Sequence, residues 1–226
     1  YACSGGRLKA YNILNGNQTL NHNVNGQFLN GITHKGNDIF ITDFSGKKLY
    51  RYNTISGNHN LFASFNSTPN GVVYDYLLDR LLVVGWGGGA PIWEVNLSDS
   101  SVSVLANTNH SNIDGIALDP CGNYYVSVWG NNAIYQYDAN FSSPQILATG
   151  QSQPADIFYE DDLSIVIKDI HPQAPNGHQP RRPQVPWMQS PASSCLNSWR
   201  AHRFGLEYEC SKSKGNHLQK IVEIFS

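Results

Sequence analysis

Short runs in which aromatic or β-branched residues alternate with polar residues recur through the first 170 residues of the chain. They are clearest at residues 40–43, 82–86 and 125–129, and each is followed by a turn rich in Gly, Asn or Ser and then by a second run. Alternation with a period of two residues is typical of half-buried β-strands. No convincing stretch of helical period interrupts the runs, so the chain is predicted to be all-β.

The runs also repeat at a constant spacing, because their last residues, Asp43, Trp86 and Trp129, lie 43 positions apart. A period of about 40–45 residues that contains several short strands is the signature of β-propeller blades. Each unit divides into four short strands separated by turns of Gly, Asn, Ser and Pro. The prediction is therefore a β-propeller of four-stranded antiparallel blades.

The visible repeat consists of three full blades and two half blades. Residues 1–12 match the end of a preceding unit, and residues 155–166 match the start of a following one. Since a ring of six blades would need roughly 250 residues at this period, we predict an incomplete propeller over residues 1–167, with about four blades' worth of sequence. An open or strained arc is expected in preference to a closed four-bladed ring, and its exposed edges should promote association. The first strands of the full blades are expected to lie innermost and contain Gly31, Gly71 and Gly115.

The chain changes character after the repeat, over residues 168–226. Six of the eleven prolines and seven Lys or Arg residues, against three Asp or Glu, fall in residues 171–226. Proline at this density excludes central strands and favours an extended or disordered linker. Only residues 218–225 look like a strand or a short helix, and residues 171–216 are expected to pack little against the propeller. Two explanations stay open: a linker with a small appendage, or a shifted reading frame.

Composition narrows the functional classes. The chain has 226 residues, of which 14% are charged, and a formal net charge of −2. That balance gives no electrostatic basis for binding nucleic acid. No apolar run reaches the roughly 18–20 residues that a membrane-spanning helix needs. The four cysteines allow three complete disulfide pairings, and the sequence does not choose among them.

Several features favour an extracellular or periplasmic location. The chain is rich in Asn and poor in Lys, and it opens at Tyr1 inside an apparent strand, which indicates a removed leader or a fragment of a larger protein. Five Asn-x-Ser/Thr sequons also fit export, although Asn-rich turns generate such sequons by chance. The sequons begin at Asn17, Asn66, Asn96, Asn109 and Asn140.

The third unit carries the most specific motif. Residues 113–134 contain a Gly-Ile-Ala-Leu-Asp first strand, a Gly-Asn turn, a Tyr-Val-Ser second strand and a Gly-Asn-Asn turn, and this pattern resembles an NHL repeat. The steps Pro69-Asn70-Gly71 and Ile113-Asp114-Gly115 are also similar to those of the SMP-30/gluconolactonase/strictosidine-synthase-like group of six-bladed propellers. The resemblance covers about residues 1–167 and implies a propeller fold.

The same resemblance implies a metal site. In that group an Asn and an Asp before the first-strand glycines of two blades bind a divalent cation in the central channel, which assigns Asn70 and Asp114 as ligands here. The implied cation is Ca²⁺ or Mg²⁺, with Zn²⁺ as a third option, and oxygen ligands suit a hard cation. The equivalent positions in the other blades are taken to be Asn30 and Pro154. The family's ligand Glu has no identifiable counterpart, and Asn-Gly and Asp-Gly steps also serve as tight turns.

Two functions follow as alternatives. The first is an SMP-30/NHL-like binding module, secreted or periplasmic, that presents its mouth to a protein, a carbohydrate or a small molecule and is consistent with descent from a metal-dependent lactonase. The second is a divalent-metal-dependent lactone hydrolase in which the cation polarises the lactone carbonyl and activates water. The missing Glu and the missing blades favour the binding module, and no catalytic residue is predicted.

Four further side chains are candidates for the mouth. Trp86 and Trp129 occupy equivalent positions, where they either line a hydrophobic or sugar-stacking mouth or, as is more typical of repeated aromatics, pack between blades. His34 and His110 lie near blade ends without an obvious partner, so both are predicted to be neutral surface histidines.

Overall fold

The computed structural model describes residues 1–159, 165–169, 202–203, 206–207 and 222–225. These residues form almost entirely β-structure, with one short 3-10 turn at Trp129–Asn131. Within this described part, no helix has the length and apolar character needed to span a bilayer.

The strands form three complete four-stranded antiparallel sheets with incomplete sheets on either side. The sheet orders are β4-β5-β6-β7, β8-β9-β10-β11 and β12-β13-β14-β15, preceded by β1-β2-β3 and followed by β16-β17-β20, with β18-β19 as a separate pair. In chain order the strands are β1 (Ala2–Ser4), β2 (Arg7–Tyr11), β3 (Gln18–Asn23), β4 (Leu29–Lys35), β5 (Asp38–Asp43), β6 (Lys48–Asn53), β7 (His59–Ser64), β8 (Pro69–Asp75), β9 (Arg80–Gly85), β10 (Pro91–Asn96), β11 (Val102–Asn107), β12 (Ile113–Leu118), β13 (Tyr124–Val128), β14 (Ala133–Tyr137), β15 (Gln145–Thr149), β16 (Pro154–Tyr159), β17 (Ile165–Asp169), β18 (His202–Arg203), β19 (Leu206–Glu207) and β20 (Val222–Phe225).

The first strand of each sheet lies on the inside of the assembly. Strands β4, β8, β12 and β16 pack against one another in series, and β1 packs against β4. The prediction of four-stranded propeller blades with the glycine-bearing strands innermost is therefore confirmed. Among the described strands, β1 pairs with β2, whereas β17 pairs with β16 and, in parallel, with β20, so the two ends of the series do not share a sheet.

Part of the tail prediction can be compared with the structure. The segment 218–225, predicted as a strand or a short helix, contains the strand Val222–Phe225. Residues 171–201 and most of those that follow lie outside the described residues. The prediction that residues 171–216 pack little against the propeller falls on this part of the chain. Cys3 forms no disulfide with another described residue.

Apolar side chains pack between neighbouring sheets, as β9 illustrates. All six of its residues are buried. Leu81 and Val83 join a cluster with the preceding sheet, whereas Leu82 and Val84 join a cluster with the following sheet. Because successive side chains of a strand point to opposite faces, a central blade must be apolar on both faces, and its strand reads as a continuous apolar run.

Close approach of the inner strands explains the repeated glycines. A Cβ on Gly31 would lie 2.7 Å from the carbonyl oxygen of Asn70, and one on Gly115 would lie 2.7 Å from the backbone nitrogen of Ile157. A Cβ on Gly71 would overlap the carbonyl oxygen of Asp114. These contacts are shorter than side-chain packing allows, so each glycine permits the inner strand of the next blade to lie against its backbone.

At two of these contacts, a buried side-chain hydroxyl forms hydrogen bonds with the backbones of both inner strands. The Thr42 hydroxyl accepts a hydrogen bond from the Gly31 N–H at 2.8 Å and donates to the carbonyl of Asn70 at 2.6 Å. The Ser127 hydroxyl accepts from the Gly115 N–H at 2.7 Å and donates to the carbonyl of Ala155 at 2.5 Å. Each hydroxyl therefore links two blades and satisfies buried backbone groups that would otherwise be costly.

The structure corrects the blade register at one anchor. The backbone N–H of Phe44, Trp86 and Trp129 each donates to the loop before the first strand of its own blade, at Phe28, Thr68 and Asn112 respectively. Phe44, and not Asp43, is thus the counterpart of the two tryptophans. The hairpin loops that join the first two strands of a blade differ in length, with two residues after β4 and four after β8, so a constant spacing did not identify the equivalent residue.

The fourth inner position is also displaced by one residue. Pro154 pairs with Asp169 in the way that Ile113 pairs with Val128, and the carbonyl that receives the serine hydroxyl belongs to Ala155. Ala155 is therefore the counterpart of Asn70 and Asp114, and the interpretation of Pro154 as that counterpart was wrong. The inner strand β16 lacks the glycine that marks this position in β4, β8 and β12, so the sequence alone did not give its register.

The close approach at Gly71 predicts that alanine destabilises the protein at this position and not at an open glycine such as Gly88. We expect Gly71→Ala to lower the free energy of unfolding by roughly 1–3 kcal/mol or more, because the new methyl group overpacks two backbones. Gly88→Ala is the matched control, since a Cβ there meets nothing within 4 Å. Urea denaturation of both variants gives the comparison, and equal stabilities would contradict the close contact between β8 and β12.

Candidate functional site

Loops from successive blades meet at one end of the propeller, which we call the mouth. They comprise the segments before the first strands and the turns after the second strands. Antiparallel pairing places these two kinds of loop together, as the backbone hydrogen bonds from Phe44, Trp86 and Trp129 show. The mouth loops are residues 24–28, 44–47, 65–68, 86–90, 108–112, 129–132 and 150–153.

Four aromatic side chains form a continuous row across the mouth, here called the aromatic row. The ring centroids of Phe28 and Phe44 are 5.7 Å apart, those of Phe44 and Trp86 are 5.7 Å apart, and those of Trp86 and Trp129 are 5.1 Å apart. All three pairs have edge-to-face geometry, which is favourable for aromatic rings. Phe28 is exposed and the other three are half-buried, so the row packs between blades and also faces solvent.

The aromatic row was only half visible in the sequence. Trp86 and Trp129 were identified as equivalent positions, with packing and lining of the mouth as alternatives, and the structure shows both. Phe28 and Phe44 were missed, because the register error placed Asp43 at the anchor. The residue after the second strand is aromatic in all three full blades, and this signal would have found Phe44.

Asp43 shapes the loop that carries two of these rings. Its carboxylate is buried and accepts hydrogen bonds from the backbone N–H groups of Gln27 at 2.9 Å, Phe28 at 2.8 Å and Gly46 at 3.0 Å. These bonds connect the loop before β4 with the turn after β5. A carboxylate that accepts several backbone N–H bonds is well satisfied without a cation.

Asn70 has a structural role at the predicted metal site. Its side chain is buried, with 1% of its surface exposed. The side-chain nitrogen donates to the carbonyl of Ile113 at 3.2 Å, and the side-chain oxygen accepts a hydrogen bond from the amide of Asn30. Asn70 therefore connects the inner strands of all three complete blades, β4, β8 and β12.

Asp114 occupies the equivalent position on β12 and is half-buried. The side chains of Asn30, Asn70 and Asp114 offer amide and carboxylate oxygens as possible metal ligands, and such oxygens suit a hard cation. However, the Asn70 oxygen is directed towards Asn30, and its nitrogen is directed towards β12. The described residues contain no group of three or more His, Cys, Asp or Glu able to hold a metal. A cation shared by Asn70 and Asp114 stays a prediction and would require a different arrangement of the Asn70 amide.

The two histidines considered from the sequence differ. His34 is exposed, as expected, whereas His110 is only 9% exposed and packs on Tyr135 with ring centroids 4.1 Å apart. The prediction of a surface position for His110 was wrong, since the loop that carries it folds over the aromatic face of the third blade. Burial lowers the pKa of His110 below its ordinary value.

Unpaired polar atoms cluster near the turn at 129–132. Within the described residues, three buried side-chain atoms have no hydrogen-bond partner: His110 Nε2, Trp129 Nε1 and Gln151 Oε1. Their loops meet there, because Gly130 N–H donates to the Ser111 carbonyl and Gln151 N–H donates to the Asn132 carbonyl. Buried polar groups normally find a partner in protein or ordered water.

The mouth loops are almost uncharged. Lys47 is the one Lys, Arg, Asp or Glu residue in them, and the other polar side chains are mostly amides and hydroxyls. Asp43, Lys48 and Asp114 lie at or near the ends of these loops but within the strands. An aromatic surface with neutral hydrogen-bonding groups suits ligands that combine apolar faces with neutral polar groups.

Comparisons with known proteins support the fold. No protein-family model and no curated protein matches the sequence. The crystal structure of a nidogen/laminin complex is similar, with a TM-score of 0.61, 17% sequence identity and coverage of 69% of this chain and 64% of that chain. Selenomethionine-substituted virginiamycin B lyase from Staphylococcus aureus is also similar, with a TM-score of 0.56, 16% identity and coverage of 68% and 53% respectively.

These similarities establish the fold alone, because the identities are low. Both structures are β-propeller proteins, which agrees with the sheet order found here. This chain spans less than two thirds of the length of either one. Membership of the SMP-30/gluconolactonase-like group stays a prediction.

The metal prediction can be tested by calorimetric titration with Ca²⁺, Mg²⁺ and Zn²⁺. If Asn70 and Asp114 share a cation, the wild type should bind it weakly, because two protein ligands and water form a poor cage. Asp114→Ala should abolish the heat of binding, whereas Asp138→Ala, which removes an exposed carboxylate outside the mouth loops, should leave it unchanged. Binding that survives Asp114→Ala would place the site elsewhere, and a wild type that binds none of the three would end the metal hypothesis.

Proposed function

We propose that this protein is a β-propeller binding module that takes its ligand at the mouth. The observation that carries the proposal is the aromatic row, which places four rings from successive loops along one face. Partly exposed aromatic side chains dominate recognition surfaces because they bury large areas and lose little conformational freedom. The packed inner strands hold the row in place, so little ordering would be required on binding.

The chemistry of the mouth indicates a neutral ligand. With Lys47 as the one charged side chain of the loops, the loops carry too little charge of one sign to favour a strongly acidic or basic partner. Aromatic rings beside amides and hydroxyls suit the faces of a carbohydrate, a small molecule, or an uncharged loop of a protein. A protein partner is further supported by the nidogen/laminin structure, which is itself a complex.

An extracellular or periplasmic location belongs to the same proposal. The five sequon asparagines are all exposed in the structure, as glycan acceptors have to be.

Metal-dependent lactone hydrolysis is the alternative proposal. It is supported by the presence of Asn70 and Asp114 at equivalent inner positions of adjacent blades. The binding module is favoured because the Asn70 amide already bonds both neighbouring blades. The calorimetric titration described above separates the two alternatives.

The binding proposal is tested on arrays of neutral oligosaccharides and of secreted proteins, followed by affinity measurement for each component that the wild type binds. We expect Trp86→Ser to weaken binding at least tenfold, because truncating a central aromatic anchor costs about 2 kcal/mol or more. Ile55→Ser is the matched control, since Ile55 is an equally apolar side chain, 79% exposed, at a hairpin outside the mouth. Circular dichroism confirms that both variants are folded.

The two variants together decide the proposal. Binding that is unaffected by Trp86→Ser, or is lost equally in Ile55→Ser, would contradict the mouth as the binding site. A wild type that binds nothing on either array would also count against a binding module of this specificity.

A further inference from the structure

Two histidines from neighbouring sheets meet outside the mouth. His22 lies on β3, the last strand of the first sheet, and His59 lies on β7, the last strand of the next sheet. His22 Nε2 is 2.8 Å from His59 Nδ1, and the ring centroids are 4.9 Å apart. The two residues are 37 positions apart in the sequence, so the contact is a product of the way the sheets pack.

The distance requires a particular protonation state. A neutral imidazole has one N–H donor and one acceptor nitrogen, whereas a protonated imidazole has two donors and no acceptor. An N–H···N bond therefore forms only while at least one of the two rings is neutral. If both rings are protonated, the bond is lost and two positive charges face each other at the same place.

The described contacts around the pair are with aromatic rings and with one further positive charge. His22 packs on Tyr52 at 4.8 Å between ring centroids, and His59 packs on Tyr50 at 6.2 Å. Arg7 on β2 adds positive charge beside His22. Among the described residues, no Asp or Glu forms an ion pair with either ring.

We propose that the His22–His59 contact is a pH-sensitive latch between the first two sheets, closed at neutral pH and open in mild acid. The latch joins the outer strands β3 and β7. The apolar cluster that holds the same two sheets together, which includes Leu8, Val24 and Ile41, contains no ionisable group that titrates in this range. Opening is thus local, and the inner strands stay packed.

The direction of the pH dependence follows from the folded state. Burial, the neighbouring His59 and Arg7, in that order, lower the pKa of His22 below its ordinary value. A group whose pKa is lowered on folding contributes stability that is fully present above the unfolded-state pKa of about 6.5 and is lost as the pH falls through the lower folded-state value. The latch is therefore expected to hold at pH 7.5 and to weaken as the pH falls below about 6.5.

Hydrogen exchange of the wild type gives the first test. After correction for intrinsic exchange rates, the protection of backbone amides in β3 and β7 should fall roughly threefold to tenfold between pH 7.5 and pH 5.0, as expected for loss of one hydrogen bond. Amides of β8 and β12 should keep their protection over the same range. Unchanged relative protection of β3 and β7 would overturn the proposal.

A double-mutant cycle gives the second test and separates this pair from His110. His22→Gln, His59→Gln and the double variant should show coupling in urea unfolding at pH 7.5 and none at pH 5.0. His34→Gln, at an exposed histidine, should change stability little at either pH. Coupling that persists at pH 5.0, or is absent at pH 7.5, would show that the two rings do not act as a latch.

Discussion

The structure depends on the close approach of consecutive inner strands. At Gly31, Gly71 and Gly115 the backbone of one blade lies where a Cβ would otherwise be, against the inner strand of the next blade. At two of these contacts, the hydroxyls of Thr42 and Ser127 donate hydrogen bonds to the backbone of the next inner strand. The fourth position is Asp156, which is exposed on β16, and among the residues described β12 is the inner strand against which β16 packs extensively. Glycine is thus found where another blade follows.

The mouth is a consequence of that constraint. When the inner strands are fixed side by side, the residues that follow the second strands come to lie next to one another, and Phe44, Trp86 and Trp129 form a row. Buried Asp43 holds the loop that adds Phe28. The binding surface is therefore assembled from equivalent positions of separate blades, none of which carries more than a small part of it.

Sequence periodicity was sufficient for the architecture, because strand alternation and the glycines are local signals that recur. It was insufficient where the outcome depends on contacts between blades. The Asn70 side-chain amide bonds Asn30 and the Ile113 carbonyl, and no sequence pattern specifies the orientation of that amide. His110 was expected at the surface but is buried by a loop that folds onto Tyr135. Because the hairpins differ in length, the constant spacing selected Asp43 and not Phe44. No sequence pattern indicated that His22 would contact His59.

Native-state hydrogen exchange at the inner strands tests the central claim most directly. If the close approach of the inner strands stabilises the whole structure, the amides of Gly31 and Gly115, which donate to buried hydroxyls, should exchange only with global unfolding and be among the most protected in the protein. Amides of the outer strands β7 and β11 should exchange faster, through local opening. Greater protection in the outer strands than at Gly31 and Gly115 would contradict the account.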